Sequence, residues 1–164
     1  MSKAENQKHL PMTGVGPIYV AVIIIVTVIA VIAGNSEMFE MGRIAFLKIP
    51  MLIIGILLFA GGIYLWIGAM FKSKIDSHIE ENRLATTGVY AQVRNPIYSA
   101  FMFFCTGALM IAGNLFFLPL FFFYWIFMTL LMKCTEEKWL KNLYGREYEE
   151  YCKRVNRCIL RNRK

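Results

Sequence analysis

One stretch dominates what this chain can fold into. From Pro96 to Met132 it runs 37 residues without a charged side chain. A single helix of that length would measure about 55 Å at ~1.5 Å per residue. The hydrocarbon core of a bilayer is only about 30 Å thick. Two short helices fit where one does not, and Gly113-Asn114 stands at the middle of the run as the natural turn. Two further uncharged runs, Val15 to Ala33 and Met51 to Phe71, are each long enough to span. Together they account for a chain that is 57% hydrophobic with a mean hydropathy of +0.50, well outside the range of soluble domains. The expectation is an all-α integral membrane protein with four transmembrane helices, the last two forming a C-terminal helical hairpin.

Charge orients these spans. Residues 133–164 carry ten Lys or Arg against five Glu, and the segment 72–95 holds Lys72, Lys74, Arg83 and Arg94. The connection 34–50 balances Glu37 and Glu40 against Arg43 and Lys48. The positive-inside rule then places both termini in the cytoplasm, as an even number of spans requires. The membrane is expected to be the plasma membrane of a prokaryote or an internal membrane of a eukaryote. Val31-Ile32-Ala33 is a weak match to a signal cleavage site after an overlong apolar core, so the first run is assigned as a retained span. Residues 1–14 are expected to be a mobile cytoplasmic N-terminus, 15–71 two N-terminal spans, and 72–164 a functional core.

Several function classes drop out. No basic patch interleaved with aromatics points to nucleic acid. Cys105, Cys134, Cys152 and Cys158 form no CxxC pair, so neither a disulfide nor a metal is expected. No span carries an ionisable side chain, which argues against an ion or proton pathway. The glycines of the second span, Gly55, Gly61, Gly62 and Gly68, read as close helix packing.

Two polar clusters remain, brought to one membrane face by the apolar hairpin. Arg94 precedes Asn95-Pro96, where the proline suits a first helical turn and Asn95 is the expected N-cap. Glu136 and Glu137 follow the last span, in a helix expected to continue from the membrane through Trp139 to a C-cap at Gly145. Tyr148, Tyr151, Cys152 and Val155 then share one face of an expected cytoplasmic amphipathic C-terminal helix. An interfacial salt bridge with snorkelling side chains, and a helix resting on headgroups, would explain these residues as well as a ligand site would.

The motifs tip the balance. Val93-Arg94-Asn95-Pro96-Ile97-Tyr98 resembles the Arg-His-Pro-x-Tyr motif of the isoprenylcysteine carboxyl methyltransferase and phospholipid methyltransferase superfamily. Gly88-Val89-Tyr90 is similar to its preceding Gly-x-Tyr. Glu136-Glu137, Leu140 and Tyr144-Gly145-Arg146-Glu147-Tyr148-Glu149-Glu150-Tyr151 resemble its ending, so the likeness covers about residues 85–157. It implies S-adenosylmethionine as cofactor, held by Tyr90, Arg94, Asn95, Pro96, Tyr98, Glu136, Glu137, Tyr148 and Tyr151. It also implies a lipid or small lipophilic acceptor and methyl transfer without a metal. Arg94 and Arg157 would orient an anionic acceptor, and Glu136 and Glu137 would contact cofactor or acceptor. The chemistry suits these residues: carboxylates for an ammonium, a guanidinium fork for a carboxylate, tyrosine faces for a sulfonium.

Two departures stand out. Asn95 replaces the family's histidine and cannot take a proton. Asn156-Arg157-Cys158 lacks the proline that often follows the family's last arginine. Asn95 keeps a rival open, a non-enzymatic membrane protein retaining the scaffold. A sterol-reductase-like enzyme is a second rival, but such chains have many more spans.

Overall fold

The computed structural model describes residues 15–72 and 84–158. Among them are five α-helices: α1 (Gly16–Ala33), α2 (Lys48–Ile67), α3 (Pro96–Ala112), α4 (Leu120–Cys134) and α5 (Glu136–Arg154). Three helical stretches are long and apolar enough to cross a membrane, at Gly16–Ala33, Ala45–Met70 and Leu115–Cys134. The fourth, α3, is apolar but has only 17 residues. At ~1.5 Å per residue it measures about 26 Å, a little short of the hydrocarbon thickness. The expected segment after Lys72 and the basic residues beyond Cys158, including Arg161, Arg163 and Lys164, lie outside the described residues.

The sequence dictates which faces are inward. On α1 the buried residues are Gly16, Tyr19, Ile23, Thr27 and Ala30, a spacing of three and four that makes one stripe. Ile18, Ile25, Ile29 and Ile32 point outward, where only lipid makes such a surface favourable. Helix α3 is the hub. It packs along α2 far more extensively than along α4, and it also meets α1. The α2–α3 seam depends on small residues. A Cβ on Gly55 would come within 2.9 Å of the Gly107 carbonyl, and one on Gly107 within 2.9 Å of the Gly55 carbonyl, so the two backbones touch. Tyr19, Met102, Leu109, Tyr124, Met128 and Cys158 fill the space between α1, α3 and α4.

The α3–α4 turn falls where expected, with Gly113 in the left-handed conformation (φ 71°) that favours glycine. Asn114 is not an exposed turn residue, however. It is 1% exposed. Its amide donates to the carbonyls of Phe39 (2.9 Å) and Gly34 (3.5 Å), and its oxygen accepts from the Phe116 N–H (3.1 Å), tying this turn to the α1–α2 connection.

At the opposite end two expectations change. The last span does not run on as one helix: Thr135 (φ −124°, ψ −86°) breaks it, and α5 starts afresh at Glu136. The break puts both glutamates in a first turn, where the helix dipole favours negative charge. Gly145 ends the first arm of α5 as expected, at φ 51° and ψ −120°, and a second arm follows it. Beyond Arg154 the chain turns extended, so Val155 (φ −118°, ψ 132°) lies outside the helix expected to carry it. Val93 and Asn156 form a parallel bridge, the Arg94 N–H donates to the Asn156 carbonyl (2.8 Å), and the Asn95 N–H donates to the Arg157 carbonyl (3.1 Å). The C-terminal segment is thereby stitched to the residues that lead into α3.

Candidate functional site

Both polar clusters meet at this end of the bundle, in two adjoining halves. The first is centred on Glu137. Its carboxylate accepts two hydrogen bonds from Arg157, from Nε (2.6 Å) and Nη2 (2.8 Å), the fork geometry that guanidinium favours. Arg94 Nη1 lies 3.2 Å from the same carboxylate. It also donates to the Tyr148 hydroxyl (3.4 Å) and meets the Cys152 sulfur. These side chains are withdrawn from solvent: Arg94 is 9% exposed, Glu137 15% and Arg157 22%. Arg94 Nε is buried and has no acceptor among the described residues. The Glu137 carboxylate holds the Arg157 guanidinium protonated and pushes its pKa up.

The second half is centred on Glu136. The Tyr98 hydroxyl, in the first turn of α3, donates to its carboxylate at 2.8 Å. The backbone of Val15, at the start of α1, faces it as well and favours its charged form. Gly16 lies against the Tyr98 ring so closely that a side chain there would overlap it. Three helix ends therefore converge on one carboxylate. No cation lies within ion-pair distance of it among the described residues. Burial raises its pKa, opposed by the Tyr98 hydrogen bond and the Val15 backbone.

The tyrosines complete the enclosure. Tyr90 sits in a turn at Gly88–Ala91, and its carbonyl accepts from the Tyr151 hydroxyl at 2.6 Å. Tyr148 and Tyr151 are buried on the second arm of α5, with ring centroids 6.3 Å apart. Burial raises the pKa of Tyr90, Tyr148 and Tyr151 well above the ordinary phenol range. Burial also pushes the Cys158 thiol up to about 11.

Arg94, Asn95, Tyr90, Tyr98, Glu136, Glu137, Tyr148, Tyr151 and Arg157 thus gather at one end of the bundle, with Pro96 as the first residue of α3. Of the two glutamates expected near Arg94, it pairs with Glu137 and not with Glu136. One detail differs from expectation. Asn95 holds the N-cap position of α3 but its side chain makes no capping bond; its amide donates to the Arg157 carbonyl at 3.3 Å, reinforcing the ribbon. Sequence reasoning passed over Val15 and Gly16, whose part is played by backbone, and it noted Cys152 only as a member of the tyrosine face.

The model of the phospholipid methyltransferase family matches residues 50–147, more than half of the chain. The chain belongs to this family. The matched region of this phospholipid methyltransferase homologue runs from α2 through the Gly145 hinge. It takes in Tyr90, Arg94, Tyr98, Glu136 and Glu137 and stops short of Tyr148, Tyr151 and Arg157. Among curated proteins, a protein-S-isoprenylcysteine O-methyltransferase of Schizosaccharomyces pombe is 35% identical over 102 residues, covering 57% of this chain and 43% of the relative. A probable protein-S-isoprenylcysteine O-methyltransferase of Oryza sativa subsp. indica is 34% identical over 91 residues, covering 54% of this chain and 47% of the relative. The chain spans less than half the length of these curated relatives. No solved structure matches it significantly.

Proposed function

We propose that this protein uses S-adenosylmethionine to methylate a lipophilic or membrane-partitioned acceptor, with the cofactor bound at the cytoplasmic membrane face. The observation that carries the proposal is Glu136: a half-buried carboxylate that accepts from the neutral Tyr98 hydroxyl and meets no cation among the described residues. Burying such a group is costly without a countercharge, and the ammonium or sulfonium of the cofactor would supply one. The buried Arg94 Nε, a donor with no acceptor among the described residues, suits the cofactor's carboxylate. The residues present therefore fit the group. Glu136 and Tyr98 would hold its cationic end, Arg94 its carboxylate, and the Tyr90, Tyr148 and Tyr151 layer would keep water out.

When bound, the sulfonium supplies an activated methyl carbon for in-line displacement. The protein's contribution is then position and dryness, with no covalent nucleophile. Arg157, held by Glu137 beside Arg94, presents a second cation toward which an acidic acceptor would orient. Under this reading both termini face the cytoplasm, and the Gly113 turn faces the other side.

Calorimetry on the full chain in detergent tests the proposal. Binding of S-adenosylmethionine or its demethylated product at micromolar affinity, on the order of −8 kcal/mol, is expected. Folded protein that binds neither would sink it.

A further inference from the structure

A second site lies beside this one. The two arms of α5, folded at Gly145, enclose an open cleft of about 420 Å³. Its walls carry Lys133, Lys138, Lys141 and Lys153, with Tyr148 and Cys152 on the side of the Arg94 cluster. Two carboxylates also line it, and both are already engaged. Glu149 pairs with Lys141 across the arms at 2.7 Å, and Glu137 holds Arg157 and Arg94. Lys133, Lys138 and Lys153 have no carboxylate within ion-pair distance among the described residues. Among the described residues the cleft therefore presents three ammonium groups without an ion-pair partner. Such a surface repels a sulfonium cofactor, which carries net positive charge, and attracts an anion.

Its position limits which anion. Lys133 is in the last turn of α4, at the boundary of a membrane span, and Trp139 is exposed on the first arm, as aromatics at a membrane interface are. Basic pockets at that depth face lipid headgroups. We infer that the cleft between the two arms of α5 binds the phosphate of an anionic phospholipid headgroup, with Lys133, Lys138 and Lys153 as its ligands. The site stands whether or not the methyl-transfer proposal holds. Because Tyr148 and Cys152 form a wall of both sites, an occupied cleft would hold the second arm of α5 in place over the Arg94 cluster.

The test uses the purified full chain in uncharged detergent, with native mass spectrometry to count bound short-chain phosphatidylglycerol. Phosphatidylcholine and inorganic phosphate serve as the comparison ligands. One phosphatidylglycerol is expected to bind saturably, and phosphatidylcholine far more weakly. Lys133→Gln/Lys153→Gln should lower the affinity roughly 30-fold, about fivefold for each lysine near the surface. Arg146→Gln/Arg154→Gln removes the same charge outside the cleft and should change it little. Melting temperatures of both variants report that the fold is intact. Displacement of the lipid by millimolar inorganic phosphate would uphold the phosphate site and reassign it to a soluble phosphate. Equal weakening by both double variants, or binding that never saturates at one lipid, would overturn the inference in favour of diffuse attraction to a basic surface.

Discussion

Neutralising the two adjacent glutamates one at a time should have opposite consequences. In Glu137→Gln the bidentate fork from Arg157 is lost, because an amide offers one acceptor oxygen where the carboxylate offered two. Arg94, 9% exposed and with no acceptor for Nε among the described residues, loses its carboxylate partner as well. Breaking a fully buried pair costs about 3–5 kcal/mol. Partial solvent access at Arg157 reduces that, so we expect a stability loss of roughly 2–3 kcal/mol. Glu136→Gln strands no cation among the described residues, and its amide oxygen still accepts from Tyr98. Its stability should stay within about 1 kcal/mol of wild type. Its affinity for S-adenosylmethionine should fall by roughly 1.5–3 kcal/mol, about tenfold to over a hundredfold. Thermal melts and calorimetric titrations of both variants in one detergent separate these effects. The reasoning fails if Glu136→Gln binds cofactor as wild type does, or if Glu137→Gln weakens binding while melting normally.

The raised pKa of Glu136 adds a pH dependence. A carboxyl that keeps its proton longer when folded costs stability as pH rises from the ordinary carboxylate value through the raised one, so wild type should lose stability across that window and Glu136→Gln should not. A cationic ligand prefers the ionised form, so cofactor binding in the same window should release a proton, seen as a dependence of calorimetric heat on buffer ionisation. Gly145→Ala adds a methyl with open space around it at a backbone conformation that alanine resists, and denaturation should show a loss of roughly 1–3 kcal/mol. For topology, Met41 is 87% exposed in the α1–α2 connection, so Met41→Cys in a cysteine-free background should react with an impermeant maleimide from outside intact cells; reaction only after lysis would reverse the orientation. Among native thiols, exposed Cys134 should alkylate long before buried Cys158, whose pKa is about 11; equal rates would mean the C-terminal ribbon is open.

Much of the architecture is legible because the bilayer allows few alternatives. Uncharged run length alone marks the helices, and Gly113 marks the turn between the last two. What escapes is decided by contacts remote in sequence. Asn114 looks like a turn residue, yet it is buried because its amide reaches carbonyls of the α1–α2 connection. Asn95 looks like an N-cap, yet its side chain serves the Arg157 carbonyl, 62 residues away. The Thr135 break is invisible because threonine is tolerated within helices, and here its hydroxyl bonds back to the Leu131 carbonyl at 2.5 Å. The motif residues could be named from order and spacing, but their pairing could not.

That pairing follows from helix geometry. Consecutive helical residues point about 100° apart, so Glu136 and Glu137 cannot address one partner. Restarting the helix at Glu136 aims that residue at the bundle, where α3 offers the Tyr98 phenol. The next residue is thereby aimed at the ribbon of Val155 to Cys158, where Arg157 waits. One carboxylate is spent on holding the segment of Val155 to Cys158 over the site, and the other meets no cation among the described residues. A doublet that looks redundant in sequence thus divides into a tether and a vacancy of charge. Asn95 belongs with the tether: backbone and side chain both donate to the Arg157 carbonyl, so this position acts here by fixing the ribbon and needs no proton-accepting group to do so.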